Sequence, residues 1–121
     1  MSKIYKNQEA NNIFLELFST EANGDVIKLE EVKANTTDAA QEKHVPVVSV
    51  KGKIVEVVIG SVEHPMLEAH YITGIYIDTK AGGQFKRLAP GEAPKATFVL
   101  GEEDEFISAY EHCNLHGIWK A

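Results

Sequence analysis

The 121-residue chain is long enough for one compact domain with its own core, or for a domain with a small appendage. Eighteen acidic residues against twelve lysines and arginines give a formal charge of −6, which disfavours a nucleic-acid partner. No apolar run approaches the about 20 residues of a membrane span, and residues 1–7 lack the apolar core of a signal peptide. We therefore expect a cytoplasmic protein without a membrane or nucleic-acid partner. The single cysteine, Cys113, excludes an intrachain disulfide and leaves a thiol free for packing, catalysis or metal binding.

The first forty residues are polar and irregular. Two short apolar segments, residues 13–18 and 26–32, flank a turn-like stretch at 21–25, which predicts a small hairpin. Capping residues at 35–38 precede Ala39, and this favours one helical turn that acts as a hinge. The sequence thus predicts a small N-terminal β appendage over residues 1–38 and a larger domain over residues 39–121.

Beyond the hinge the sequence is rich in β-branched residues and alternates in polarity. Within residues 71–79 this alternation predicts that Tyr71, Thr73, Ile75 and Ile77 share one face. Glycine- and proline-containing turns separate the segments. About seven short strands predict an all-β sandwich, with function carried by its loops. The predicted strands cover residues 45–50, 54–59, 71–79, 84–88, 95–100 and 105–111.

Four of the five histidines lie beside turn-forming or strand-ending residues, namely His44, His64, His70 and His116. A single loop histidine is usually a solvated surface residue. Four of them with one cysteine indicate a metal site instead. Cys113 and His116 are three residues apart, so one tight loop can present both to the same ion. His64 and His70 are six residues apart, and their two rings can converge on one metal ion if the loop between them curls back.

The number and softness of these ligands favour iron. Four ligands satisfy a structural zinc ion, whereas four nitrogens and one sulfur suit a square-pyramidal redox iron with one open position. An axial thiolate donates electron density to iron, which indicates redox chemistry on a small molecule. Two other classes stay open: a one-electron carrier that uses the same iron, and a structural zinc module in a binding protein. An electron carrier would not explain why Lys43 lies beside an open coordination position of the iron. A structural zinc site would leave one of the histidines without a role.

Four sequence segments, which follow one another in the same order as in the family, resemble the desulfoferrodoxin and neelaredoxin family of superoxide reductases. The resemblance extends over residues 42–120. It implies an immunoglobulin-like β-sandwich that holds one mononuclear iron. The equatorial imidazoles of the family fall on His44, His64, His70 and His116, and its axial thiolate falls on Cys113. The segments are Glu42-Lys43-His44-Val45-Pro46, Gly60-Ser61-Val62-Glu63-His64-Pro65-Met66, His70-Tyr71-Ile72 and Glu111-His112-Cys113-Asn114-Leu115-His116-Gly117.

The resemblance also implies an activity, the one-electron reduction of superoxide to hydrogen peroxide without oxygen evolution. The mobile loop pair of the family falls on Glu42 and Lys43. We expect Lys43 to steer superoxide and to orient a protonating water. Glu42 is expected to close the open iron position in the oxidised enzyme. The implied electron donor is rubredoxin or a similar protein.

Two features depart from the family. Its two-iron members carry an N-terminal desulforedoxin-like domain with four cysteines, but residues 1–38 contain none. We therefore expect one iron per chain and a vestigial, structural N-terminal region in a homo-oligomer, with a dimer favoured. The second is His112, where the family usually has an aromatic residue; strand alternation turns it away from the Cys113 side. Met66 and Trp119 are expected in the core, and Asn114 is expected to set the geometry of the ligand turn.

Overall fold

The structure, a computed structural model, describes residues 2–7, 12–18 and 29–121. The chain divides into two compact units, Met1–Lys33 and Ala34–Ala121. This division lies five residues before the boundary predicted after residue 38. Within the described ranges, no helix has the length and apolar character needed to cross a membrane.

The N-terminal unit contains a three-stranded antiparallel sheet. Its strands are β1 (Ile4–Asn7), β2 (Ile13–Leu15) and β3 (Leu29–Glu31), in the order β2-β1-β3. The predicted hairpin between residues 13–18 and 26–32 is wrong, because β2 and β3 both pair with β1 instead of with each other. Strand β1 was not predicted, because only its buried Ile4 and Tyr5 give it apolar character. The predicted turn at 21–25 lies outside the described residues.

The larger unit is a sandwich of seven strands, which confirms the all-β prediction. One antiparallel sheet has the order β10-β9-β6-β7 and the other has the order β4-β5-β8. The two sheets enclose one hydrophobic core. The strands are β4 (Pro46–Lys51), β5 (Ile54–Ile59), β6 (Ile72–Thr79), β7 (Gly82–Arg87), β8 (Lys95–Val99), β9 (Phe106–Cys113) and β10 (Gly117–Lys120).

Alternation in the strands builds the core between the sheets. In β5, Val55, Val57 and Ile59 are fully buried while the residues between them are exposed. In β6 the register against β9 shifts between Ile72 and Gly74. Ile72 therefore joins Ile75 and Ile77 in the core. The predicted shared face with Tyr71 and Thr73 is wrong for these two residues, because the irregularity interrupts the alternation.

One short helix, α1 (Gln41–His44), leads into β4. The helical turn predicted at residues 39–41 lies later in the chain, at Gln41–His44, and Asn35, one of the candidate capping residues, does not cap it. Its side chain instead pairs with the backbone of Lys120, accepting from the amide at 2.7 Å and donating to the carbonyl at 3.1 Å. Ala40 occupies the N-cap without a side-chain hydrogen bond. As a result α1 carries Glu42, Lys43 and His44.

Candidate metal centre

The five predicted ligands come from three separate parts of the sandwich. His44 ends α1, and His64 and His70 lie in the connection between β5 and β6. Cys113 is the last residue of β9, and His116 lies in the turn before β10. Each candidate ligand thus lies at the end of an element or in a loop, and Cys113 still pairs with Ile72 and Gly117 in the sheet.

The four imidazole rings form a closed circuit. Ring centroids are 4.8 Å apart for His44 and His64, 4.6 Å for His64 and His70, 5.1 Å for His70 and His116, and 4.9 Å for His116 and His44. Across the circuit, the centroids of His44 and His70 are 6.4 Å apart. Neighbouring rings in this circuit meet edge to face and do not stack on one another.

Ligand atoms converge within this circuit. One ligand atom from each of His44, His64, His70 and Cys113 lies within 4.8 Å of the others. His116 is not in this group but lies beside it, because its Nδ1 is 3.1 Å from His44 Nε2 and 3.8 Å from the Cys113 Sγ. Hydrogen bonds of 2.6 Å from Nδ1 of His44 to the Ala40 carbonyl and from Nδ1 of His64 to the Pro65 carbonyl leave Nε2 as the nitrogen that each ring can offer to a metal. Nε2 of His44 also contacts Nδ1 of His116.

Burial favours the neutral form of three of these imidazoles, those of His44, His64 and His70. His44 and His64 are 2% and 1% exposed, and desolvation lowers the pKa of His64 from 6.5 to about 4. Desolvation also lowers the pKa of His44 and of His70. Burial raises the pKa of the Cys113 thiol, while the backbone N–H groups of Leu115 and His116 act in the opposite direction. A bound cation would therefore displace a proton from the sulfur but not from the rings.

The residues present fit a metal ion. Nε2 of His64 and of His70 are buried and have no hydrogen-bond partner among the described residues. Leaving a buried ring nitrogen unpaired costs about 1–3 kcal/mol, so a ligand that pairs both nitrogens is expected. Imidazole nitrogens from His44, His64 and His70 together with the Cys113 sulfur form a donor group that suits a redox-active iron.

A family model described as Desulfoferrodoxin matches residues 36–121. The chain belongs to the desulfoferrodoxin family. A desulfoferrodoxin homologue of Archaeoglobus fulgidus is 45% identical over 98 residues, which cover 81% of this chain and 75% of the homologue. The superoxide reductase of Treponema pallidum has a similar structure, with a TM-score of 0.80 and 39% identity over 98% of both chains. A one-iron superoxide reductase from Giardia intestinalis gives a TM-score of 0.56 at 31% identity, over 66% of this chain and 95% of its own.

In this member of the desulfoferrodoxin family, Glu42 and Lys43 are both exposed on α1. The helix is attached to the loop after β5, because the Glu42 carbonyl accepts from the Val62 amide at 2.9 Å and from Ser61 Oγ at 3.3 Å. Lys43 thus lies at the surface directly before the buried ligand His44. The structure places the predicted pair beside the metal centre but not in its ligand circuit.

Trp119 contributes more to the site than the sequence analysis predicted. It is buried as expected, at 1% exposure. Its ring also stacks on His44 with centroids 4.9 Å apart, and its Nε1 donates to the His116 carbonyl at 3.0 Å. This contact with two candidate ligands had no sequence signal beyond the position of the tryptophan, three residues after His116.

The other three residues singled out from the sequence lie around the centre. His112 is partly buried, and its Nδ1 is 2.7 Å from Thr73 Oγ1. It does not belong to the group of converging ligand atoms. Met66 packs against the core, and its Sδ is 3.4 Å from the Ile72 amide. Asn114 joins the ligand turn to the segment that carries His70.

Proposed function

We propose that the protein is a superoxide reductase, an oxidoreductase that converts superoxide, one electron and two protons into hydrogen peroxide without evolving oxygen. The observation that carries this proposal is the circuit of four imidazoles beside a buried thiol, with two buried ring nitrogens unpaired. Similarity to solved superoxide reductases supports the same activity.

The proposed ligands of one mononuclear non-haem iron are Nε2 of His44, His64 and His70, Nδ1 of His116, and Sγ of Cys113. Hydrogen bonds from Nδ1 support the Nε2 assignment for His44 and His64. The 3.8 Å approach of His116 Nδ1 to the Cys113 sulfur supports Nδ1 as the donor of His116. Five protein ligands would leave one position of a bound iron open to a small molecule.

Bound iron would cycle between its ferrous and ferric states and supply the electron. The Cys113 thiolate contributes negative charge and electron density to the centre. Lys43 provides a local positive charge that attracts the superoxide anion, and its ammonium group orients a water that delivers a proton. The carboxylate of Glu42 is proposed to close the open position when the enzyme is oxidised.

The electron donor, the cellular location, the domain organisation and the assembly are proposed from the resemblance to the family. Rubredoxin or a similar small redox protein in the cytoplasm is the proposed electron donor. Residues 1–38 are proposed to be a structural region without a metal, since they contain no cysteine. Residues 39–121 would form the iron domain, and the assembly would be a homodimer with one iron per chain.

Metal analysis and a turnover assay on anaerobically iron-loaded protein test this proposal. We expect one iron per chain, one peroxide for each superoxide consumed in the presence of a reductant, and no oxygen. Replacing the thiolate by Cys113→Ser should remove the visible thiolate-to-iron band and nearly abolish turnover. Colourless zinc in the purified protein would favour the structural module. Reversible oxidation of the iron without superoxide consumption would favour an electron carrier.

A further inference from the structure

His70 is held differently from the other two candidate ligands that use Nε2. The rings of His44 and His64 are each oriented by a hydrogen bond from Nδ1 to a backbone carbonyl. For the His70 ring, the described part of the chain offers no hydrogen-bond partner, and its Nε2 is buried. Besides its edge-to-face contacts with the rings of His64 and His116, the position of this imidazole depends on its own backbone.

The side chain of Asn114 holds that backbone on both sides of His70. Its Oδ1 accepts from the Tyr71 amide at 2.9 Å, and its Nδ2 donates to the Ala69 carbonyl at 3.1 Å. The Asn114 backbone amide adds a third bond, to the Tyr71 carbonyl at 3.2 Å. A further pair of 2.9 Å bonds between Leu67 and His70 closes the turn from the other end.

We propose that Asn114 is a positioning residue that sets the location of His70 relative to Cys113. The inference rests on the metal centre proposed above. Asn114 follows Cys113 directly, so its amide group links the thiolate loop to the segment carrying His70. A primary amide suits this role because it donates and accepts at once, which neither a carboxylate nor an aliphatic side chain can do.

The test is a double-mutant cycle on the affinity of the metal-free protein for Co(II), measured by competition with a chelator. Loss of a residue that orients a ligand typically weakens metal binding about 10- to 100-fold. We expect Asn114→Ala to weaken Co(II) binding by about tenfold or more. In a His70→Ala background the same substitution should have little further effect, because the ligand that Asn114 positions is already absent. Equal losses in both backgrounds would overturn the proposal.

The chain contains a matched control. Asn35 makes the same amide-to-backbone pair with Lys120, remote in sequence from His70. Asn35→Ala removes an equivalent pair of bonds at a residue with positive φ, where alanine is also strained. It should lower stability without changing Co(II) affinity. If it weakens Co(II) binding as much as Asn114→Ala, general loosening is the cause and the proposal is wrong.

A measurement without metal completes the test. In the metal-free Asn114→Ala variant, hydrogen exchange at the Tyr71 amide should accelerate, because that amide loses its acceptor. Unchanged exchange at the Tyr71 amide would contradict the proposed role of the Asn114 bonds on the two sides of His70. If Asn114→Ala does not fold, Asn114→Ser serves in the same cycle, since its shorter side chain cannot reach both backbone groups. Failure of the metal centre itself would be distinct, because His70→Ala alone would then leave Co(II) affinity unchanged.

Discussion

Lys43 lies exposed on α1, one residue before a candidate ligand, in a chain of formal charge −6. Such a chain repels superoxide overall, so the positive charge at the mouth of the site should control the encounter rate. We expect Lys43→Ala to lower the second-order rate constant for superoxide consumption by about tenfold or more, measured by pulse radiolysis. Glu42→Ala should change it far less.

Ionic strength distinguishes steering from a structural effect of the same substitution. The wild-type rate should fall as salt rises, whereas the Lys43→Ala rate should fall less or even increase, since screening then mainly relieves repulsion. Lys51→Ala is the matched control, because it removes the same charge at the far end of β4. Equal rates and equal salt dependence in all three proteins would show that Lys43 does not steer the substrate.

Glu111 is a buried acid on β9, and neither carboxylate oxygen has a hydrogen-bond partner within the described ranges. Burial raises its pKa from 4.5 to about 9, while the Cys113 amide acts in the opposite direction without reaching hydrogen-bonding geometry. The folded state therefore retains a proton that the unfolded chain releases. The part of the unfolding free energy that is linked to this retained proton is fully present below pH 4.5 and is lost as the pH rises towards about 9.

Glu111→Gln removes this titration while keeping a neutral group of the same shape. Between about pH 6.5 and 8.5, we expect the free energy of unfolding of the metal-free wild type to fall with pH more steeply than that of the variant. The buried histidines weaken the fold only at lower pH, because their lowered pKa values cost stability as the pH falls below 6.5. Urea unfolding across this range measures both slopes. Glu56→Gln, on the exposed face of β5, is the control. Parallel curves for Glu111→Gln and wild type would contradict the prediction.

At the level of single residues, the sequence predicted ligand chemistry but not the contacts that support it. His44, His64, His70, Cys113 and His116 could be named because their side chains have distinct chemistry and lie next to turn residues. The role of Asn114 depends on its contacts with Tyr71 and Ala69, which lie 43 and 45 positions earlier in the chain. No local sequence pattern indicates contacts over such a distance. The stacking of Trp119 on His44 could not be predicted for the same reason.

Among the elements, α1 depends on a close backbone contact at Gly60. A Cβ at Gly60 would lie 2.5 Å from the Glu42 carbonyl oxygen and 2.8 Å from the Lys43 carbonyl carbon. Both are backbone atoms, so Gly60→Ala has to displace the helix that carries His44. We expect this variant to lose about 1–3 kcal/mol of unfolding free energy and to bind Co(II) more weakly.

Gly101→Ala provides the comparison for this element, because a Cβ there meets no atom within 4 Å. Its effect on unfolding free energy should stay within about 0.5 kcal/mol. Thermal unfolding of the two metal-free variants and Co(II) titration measure the difference. Indistinguishable behaviour of the two variants would mean that α1 accommodates the added methyl group.

Strand prediction was most accurate where burial and alternation agree. β5 has the predicted bounds, because each buried residue alternates with an exposed one. The irregularity at Thr73 could not be predicted, since it arises from pairing with β9 and not from local sequence. α1 begins later than the capping residues at 35–38 suggest, and Asn35, one of these residues, bonds to Lys120 instead of capping a helix. Local preference was overridden by long-range contacts in both cases.

For the whole molecule, the predicted sandwich follows from the alternation of about seven strands, but alternation alone does not determine how their ends are arranged. The site exists because α1, the β5–β6 connection and the β9–β10 turn converge. These segments are separated by up to 72 residues in the chain. A metal ion bound to all of them would act as a cross-link within the domain, which leads to a prediction about stability.

Metal loading should raise the midpoint of thermal unfolding and change the emission of the single tryptophan. An ion at 100 times its dissociation constant adds about 2.7 kcal/mol to the folded state, which corresponds to a midpoint about 10 °C higher for a domain of this size. Trp119 stacks on His44, so a paramagnetic ion such as Co(II) should quench its fluorescence at the same stoichiometry. His70→Ala should reduce the thermal shift, whereas His112→Ala should retain it, since the His112 ring faces Thr73. Saturating Co(II) that leaves both the midpoint and the fluorescence unchanged would show that the five side chains do not bind one ion together.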